Sequence, residues 1–422
     1  MLRLSLLTLL SVALFSPLSL SAAEPVKVGP ANDWPWWRGP QRDGIASADQ
    51  NPPVEFSDTK NVLWKAPLAG RGHGSATVVG SRVFIQTADE ASQSQSVVCL
   101  DRTSGKELWK TEVHQGHFIK GGNGKSSHAS STPACDGERV FVNFINHDAV
   151  YTTALSVEGQ QLWQTKISDY VIHQGYGSSP ALYGALVIVM ADNKGGGAVA
   201  GLDRTNGKII WRQERPKLPN YPSPSILNIG GRDQVLLTGC DLVTSFDPLT
   251  GKKIWETPAS TTECVTTVVT DGQRIFTSGG YPKNHISAVR ADGSGKVAWE
   301  NNTRVYVPSM LVRDNRLYCV TDAGVALCYD SATGKELFNL RLGGTFDGSP
   351  VLVGDKLYAI NESGVAFVVQ VTADSFEKLA ENKLGDEVYS TPTICGGQIF
   401  LRVATQKDGK QRQESLYCFG AK

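Results

Sequence analysis

The segments DRTSGKELW (101–109), DRTNGKIIW (203–211), DPLTGKKIW (247–255) and DSATGKELF (330–338) share one grammar: Asp, a short turn, Gly-Lys, two residues, and a large aromatic side chain. VEGQQLW (157–163) and GSGKVAW (293–299) are looser copies. Upstream, NVLWKAPL (61–68) puts Trp64 in the same slot, and downstream DSFEKLAENKL (374–384) puts Leu379 there. The marker positions are therefore Trp64, Trp109, Trp163, Trp211, Trp255, Trp299, Phe338 and Leu379, spanning 315 residues in seven intervals of mean length 45. Such a period points to an array of like structural units.

The sequence between markers repeats as well. A Ser-Pro-like entry leads into a short apolar run, as in GSSPALYG (177–184), DGSPVLVG (347–354) and YSTPTICG (389–396). A Gly or Asp turn follows, then a second β-rich run such as RVFIQ (82–86) or RVFVN (139–143), a third such as VALCYD (325–330), and a fourth holding the marker. Short β-prone runs at this spacing with Gly-rich turns predict an all-β chain, and four strands per 45 residues predict a propeller blade. Entries near Ser75, Ser131, Ser178, Ser223, Thr266, Pro308, Ser349 and Ser390 give eight blades. The last set ends at the C-terminus without a fourth strand, and NVLWKAPL supplies it. The expected fold is thus all-β: an eight-bladed β-propeller of four-stranded antiparallel blades, its ring closed by an N-terminal strand that completes the last blade.

Composition agrees with this reading and removes other classes. Of 422 residues, 43 are Gly, well above the usual ~7%, and that excess suits turns. Lys plus Arg and Asp plus Glu both number 41, so the chain lacks the basic surplus expected of a nucleic-acid or anionic-membrane binder. The first 25 residues, MLRLSLLTLLSVALFSPLSLSAAEP, have one positive charge, an apolar run broken by Ser and Pro17, and a small-residue end. This predicts a secretory signal peptide over 1–23, an N-terminal arm over 24–60 and one propeller over 61–422, with the mature chain exported to a periplasm or secreted. The apolar run is short of the ~20 residues a membrane span needs, and the first cysteine, Cys99, is far from the cleavage site. No membrane span or lipid anchor is expected in the mature chain.

The Gly-Lys-x-x-Trp marker with Ser-Pro entries resembles the tryptophan-docking repeat of pyrroloquinoline-quinone (PQQ) type propellers, over roughly Trp34 to the end. The opening DWPWWRGPQRDGIA (33–46) with NVLWKAPLAGRGHGS (61–75) is similar to that of exported members of the group. The superfamily includes quinoprotein alcohol dehydrogenases and non-catalytic propellers such as the propeller subunit of the outer-membrane β-barrel assembly machinery. The resemblance implies that Trp64, Trp109, Trp163, Trp211, Trp255, Trp299 and Phe338 pack between neighbouring blades. It does not carry over the quinoprotein chemistry. Adjacent cysteines are missing, the nearest pair being Cys319 and Cys328, and neither a C-x-x-C-H haem motif nor a matching calcium set is found.

Aligning the blade entries places His73, His128, Tyr176, Tyr221, Glu263, Tyr306, Asp347 and Tyr389 at the mouth of the central channel. This polar, aromatic set suits a sugar, a quinone or a peptide, and equally a solvated funnel. His73 and His128, from neighbouring blades, could approach each other, but neither lies in a compact metal motif, and no metal is expected. The connection 111–128 is the longest and carries His114, His117 and His128. Its GGNGKSS imitates a phosphate loop, but Ile119 stands where the motif needs Gly, which rejects nucleotide binding. Trp34, Trp36, Trp37 and Arg38 are expected to pack the arm on the ring, with carbohydrate stacking as the alternative.

Cys99, Cys328 and Cys418 fall in the slot held by Ala154, Gly201 and Ala288 in sister blades, which reads them as small buried residues. If Ala323-Gly324 is a two-residue turn, Cys319 and Cys328 face each other and a disulfide is possible. No nucleophile with a base stands out and no catalytic residue is assigned. The expectation is a non-catalytic binding or scaffold protein, without cofactor, that takes a small molecule, a glycan or an envelope protein at its funnel face. The alternatives are a PQQ- and calcium-dependent alcohol or sugar dehydrogenase, with Glu263 or Asp347 as base or metal ligand, and an envelope or outer-membrane assembly scaffold.

Overall fold

A computed structural model describes Gly29, residues 32–407 and residues 411–421. The signal-peptide segment 1–23 lies outside these described residues. Eight antiparallel sheets follow one another along the chain. The first consists of Thr77–Val79, Arg82–Asp89, Ser94–Asp101 and Glu107–Gln115. The innermost strands of the other blades are Ala134–Cys135, Ala181–Tyr183, Ser225–Ile229, Val269–Thr270, Leu311–Arg313, Val351–Val353 and Thr393–Cys395. In the eighth blade, Val62–Leu68 pairs antiparallel with Gln411–Phe419, Trp64 lying opposite Cys418. The chain's first long strand is thereby the outer strand of its last blade, so the ring has no open seam between first and last blades. Among the described residues there is no helix long and apolar enough to cross a membrane.

Burial follows strand position. Second and third strands are covered on both faces by neighbouring blades, and runs such as Leu186–Met190 are fully buried. Outer strands such as Glu107–Gln115 are mostly exposed or half-buried. Every blade has a bulge between its third and fourth strands beside the marker slot, for example between Cys99 and Leu100 and between Gly201 and Leu202. A bulge bends the outer strand and re-aims a side chain; here it turns the marker toward the next blade. The Trp211 Nε1–H donates to Pro248 O at 3.0 Å, and a Cβ on Gly251 would stand 2.3 Å from its ring. Gly251, the Gly of the next Gly-Lys turn, has φ 67°. Glycine there serves two needs: the left-handed backbone and the indole lying on it. Trp64, Trp109, Trp163 and Trp299 dock in the same way on Gly105, Gly159, Gly207 and Gly334. Phe338 packs on Phe376 of the next blade, centroids 4.8 Å apart.

Three details correct the sequence reading. Trp255 does not dock on the next blade's turn: its Nε1–H donates to Gln234 Oε1 of its own blade. The next turn is one residue longer than its sisters, closing from Arg290 to Lys296 where they close from Asp247 to Lys252, so Gly295 meets Thr257 instead. Leu379 is 42% exposed, and Ala380 occupies the marker position opposite Val368, because the third and fourth strands here pair on to Val371 and Phe376 and make this hairpin longer than its sisters. The Cys319–Cys328 disulfide does not form, and all eight cysteines are free. That hairpin turns through Asp322, Ala323 and Gly324, three residues where two were expected, with Thr321 and Val325 bonded across it. Cys319 therefore faces Leu327 and Cys328 faces Tyr318. A slip of one residue sends the two thiols to opposite faces of the sheet, into different hydrophobic clusters.

Candidate functional site

The Ser-Pro entries build a belt around the central channel. Ser75, Thr132, Ser179, Ser223, Thr267, Ser309, Ser349 and Thr391 each stand at the start of an innermost strand. The Ser75 amide donates to the Thr132 hydroxyl at 3.0 Å, Thr132 to Ser179 at 2.9 Å, and Ser179 to Ser223 at 2.9 Å. On the far side Thr267 donates to Ser309, Ser309 to Ser349 and Ser349 to Thr391, at 2.9–3.0 Å. The Ser75 hydroxyl joins the two arcs, donating to Thr391 O at 2.8 Å. In five of the blades the next residue is Pro, which is tolerated at the first position of a strand because no ladder amide is needed there.

The arm closes one mouth of this channel. Trp34 forms an antiparallel bridge with Val78, Pro35 O accepts from the Cys135 amide, and Arg42 donates to Leu182 O at 2.6 Å. Trp37 donates to the Thr267 hydroxyl at 2.8 Å, Arg38 to Met310 O, and Ile45–Ala46 pairs in parallel with Val351–Val353. Residues 34–46 thus reach the innermost strands of blades one, two, three, five, six and seven. The expectation that the Trp cluster packs the arm on the ring becomes specific: Trp34 and Trp36 are buried in inter-blade cores, and Trp37 is the floor of the channel.

Above Trp37 the channel widens into a cavity of about 180 Å³ lined by the hydroxyl belt. Four of the eight expected funnel residues, His73, Tyr221, Asp347 and Tyr389, line it. The others do not. Tyr176 is buried in a core cluster with its hydroxyl on Met190 O, and Glu263 pairs with His173 at 3.0 Å. Tyr306 lies under Arg304, and His128 packs on Phe118 with centroids 4.4 Å apart. His73 and His128 do not pair: the His73 ring lies 4.5 Å from that of Tyr389, its Nε2 without a partner.

Two connections cover the cavity. Residues 116–133 follow the first blade and 170–180 the second; Asn123 N–H bonds Gln174 O at 2.8 Å where they meet. Lys125 Nζ lies 2.8 Å from both carboxylate oxygens of Glu362 in the seventh blade, and His173 reaches Glu263 at the entry of the fifth. The connections therefore brace across the mouth at two points. Lys125, Glu362 and His173 were missed in the sequence. Lys125 sits in the GGNGKSS run that looked like a phosphate loop, whereas Glu362 and His173 lie in ordinary turns with no signal at all.

The electrostatics are those of a partly dry, mixed site. Burial, followed by the neighbouring Glu362 carboxylate, pushes the Asp347 carboxyl up to about 7. Burial and the positive charges of Arg71, Arg402 and Arg412 hold His73 well below its usual 6.5, hence neutral. Beneath it, Arg402 and Glu414 form a buried ion pair. A neutral imidazole, a carboxyl that holds its proton near neutrality, Tyr hydroxyls and the belt make a hydrogen-bonding cavity, without a nucleophile set against a base. A quinone–calcium group does not fit these residues. The cavity is below the ~300 Å³ at which small-molecule pockets begin, and Lys125, the cation beside the Asp347–Glu362 pair, is already bound to Glu362. Among the described residues no three His, Cys, Asp or Glu side chains converge as a metal-ligand group.

Comparison with known proteins places this geometry. The chain is 28% identical over 381 residues to the outer membrane protein assembly factor BamB of Burkholderia pseudomallei, covering 85% of this chain and 89% of that one. It is 25% identical over 300 residues to a polyvinylalcohol dehydrogenase of Sphingopyxis sp., covering 67% of this chain but only 41% of the dehydrogenase. In solved structures the fold recurs in BamB from Moraxella catarrhalis, with TM-score 0.59 at 13% identity over 84% of this chain and 96% of that one. A europium-containing methanol dehydrogenase also shares it, with TM-score 0.66 at 11% identity over 94% and 99%. A family model described as outer membrane protein assembly factor BamB, of the PQQ-like repeat type, matches residues 93–303 and 282–374, and the chain belongs to that family of propellers.

Proposed function

We propose that this chain is an exported, non-catalytic propeller that binds an envelope protein through its funnel face and serves as an assembly scaffold. The observation that carries the reading is the pair of connections braced over the channel by Lys125–Glu362 and His173–Glu263. They turn what would be a cofactor well into a built surface, on which Phe118, Lys120, Val171 and Ile172 border a hollow. Val171, 52% exposed, presents an apolar side chain at the edge of this hollow. The near full-length match to an assembly factor supports the reading, whereas the match to the dehydrogenase spans only two fifths of that enzyme.

Two measurements test it. Titration of the purified chain with PQQ and calcium, with a dye-linked alcohol assay alongside, should show neither saturable binding nor turnover; saturation at micromolar PQQ would replace the scaffold with the quinoprotein reading. In the bacterium that makes the protein, deleting the gene should lower the amount of folded β-barrel protein in the outer membrane. Restoration by the native chain but not by Val171→Glu would place the contact on this face, and full restoration by Val171→Glu would move it elsewhere.

A further inference from the structure

The hollow bordered by Phe118, Val171 and Ile172 has a volume of about 670 Å³, and His117, His147, Asp148 and Lys120 also stand around it. The two histidines come from separate segments. His147 and Asp148 form the whole turn of the hairpin Arg139–Asn146/Ala149–Ser156, since Asn146 pairs with Ala149. Two-residue hairpin turns of the favoured twist need φ > 0 at both positions, which is why Asn-Gly dominates there. Here His147 adopts φ 47° and Asp148 φ 53°. His117, on the connection from the first blade, stands at φ 59°. Positive φ in residues other than glycine carries strain and gathers at functional sites.

The two backbones are locked together, the His147 N–H donating to His117 O at 3.0 Å. Their rings lie 4.5 Å apart, centroid to centroid, at 50°. Both residues are exposed, and among the described residues no hydrogen bond engages a ring nitrogen of either. A neutral imidazole carries one ring nitrogen with a free lone pair, the donor that a metal ion takes.

We propose that His117 and His147 form a two-histidine site for a divalent transition-metal ion of the zinc, nickel or copper kind. Imidazole nitrogen binds such ions at about 2.0–2.1 Å, so two rings sharing one ion have their centres roughly 5 Å apart, close to the 4.5 Å between these two. Imidazole selects these ions over magnesium or calcium. Two protein ligands leave the remaining positions to water. Lys120 on the rim of the hollow opposes the charge of the ion. A bound ion would fasten the 116–133 connection, and with it Lys125, to the second blade. The site stands independently of the partner reading, because it is tested on the purified chain alone.

The test is calorimetric titration of Zn²⁺ and Ni²⁺ into the purified chain carrying no affinity tag. One equivalent is expected to bind, with affinity at least about tenfold weaker in either His117→Ala or His147→Asn, because a chelate is reduced to a single ligand. His147→Asn keeps a residue favoured in that turn, so circular dichroism should show an unchanged fold. Lys120→Ala should tighten binding, and His114→Ala should leave it as it was. Binding unchanged in the His117→Ala/His147→Asn double variant, or no binding at about 100 µM metal, would overturn the assignment and leave a simple ring contact.

Discussion

Docking of Trp211 on Gly251 can be measured as a pairwise energy. Trp211 is 7% exposed; an indole of this kind buries 150–250 Å², which at ~25 cal/mol/Å² is roughly 4–6 kcal/mol. Truncating a large buried aromatic costs about 3–5 kcal/mol in practice, the figure expected for Trp211→Ala. Gly251→Ala carries two penalties. The new Cβ would stand 2.3 Å from the ring, which has to leave its slot, and alanine is held at φ 67°. The left-handed backbone alone costs about 1–2 kcal/mol, and losing most of the docking brings the total to about 3–5 kcal/mol. Once Trp211 is already Ala, only the backbone penalty remains. The double variant should therefore be more stable than the sum of the singles by about 2–3 kcal/mol, within the range seen for residues in contact. Urea denaturation followed by far-ultraviolet circular dichroism, on all four proteins of the cycle, reads this directly. Additivity to within about 0.5 kcal/mol would refute the reasoning, as would a Trp255→Ala variant that loses as much as Trp211→Ala, since Trp255 does not reach the next blade.

Other perturbations address the closure of the ring and the cover of the channel. Lys125→Ala should raise amide hydrogen exchange over 116–128 without changing the blade strands, and shift global stability by less than about 1 kcal/mol, as for a half-exposed ion pair. A chain starting at residue 61 should fold with a lower melting temperature, whereas one starting at residue 69 lacks the strand opposite Gln411–Phe419 and should aggregate on size-exclusion chromatography. The Asp347 carboxyl, raised from 3.8 to about 7 in the folded chain, binds its proton more tightly there than when unfolded. Its contribution is therefore fully present below pH ~4 and is lost as pH rises toward 7. Asp347→Asn should flatten the fall in denaturation midpoint between pH 4 and 7, and an unchanged slope would count against the assignment. The native chain should resist Ellman's reagent, because burial pushes Cys99, Cys135 and Cys328 up to about 12; on unfolding, all eight thiols should react.

What was legible in the sequence was whatever repeats. A pattern present eight times is set by contacts that each blade makes with its neighbour, so the Gly-Lys-x-x-Trp marker and the Ser-Pro entry could be read as a docking indole and a channel-lining strand. The in-phase Trp64 likewise announced that the N-terminal strand closes the ring. The misreadings fall where a turn differs in length from the one assumed: the longer turn at Arg290–Lys296, the three-residue loop at Asp322–Gly324, and the extended hairpin Val371–Phe376 that precedes Ala380. Strand register has a period of two, so one residue decides which face a side chain occupies, and local composition specifies this poorly.

The site was legible only in part for a different reason. Eight residues were placed at the funnel by their position in the repeat, but only His73, Tyr221, Asp347 and Tyr389 meet in one cavity, because the side chains of the other four turn into cores or toward partners from other loops. The segments that define the cavity do not repeat. The arm at residues 34–46, the 116–133 connection with Lys125, and the loop carrying His173 find their partners across the ring, at separations such as the 237 residues between Lys125 and Glu362. Repeat and turn chemistry, which are local, determined an eight-bladed closed ring with a hydroxyl-lined axis. Contacts between distant, non-repeating loops are decided by the ring's curvature, which brings all eight entries to one rim, and only the tertiary structure shows the channel floored by Trp37 and braced across its mouth by Lys125–Glu362 and His173–Glu263.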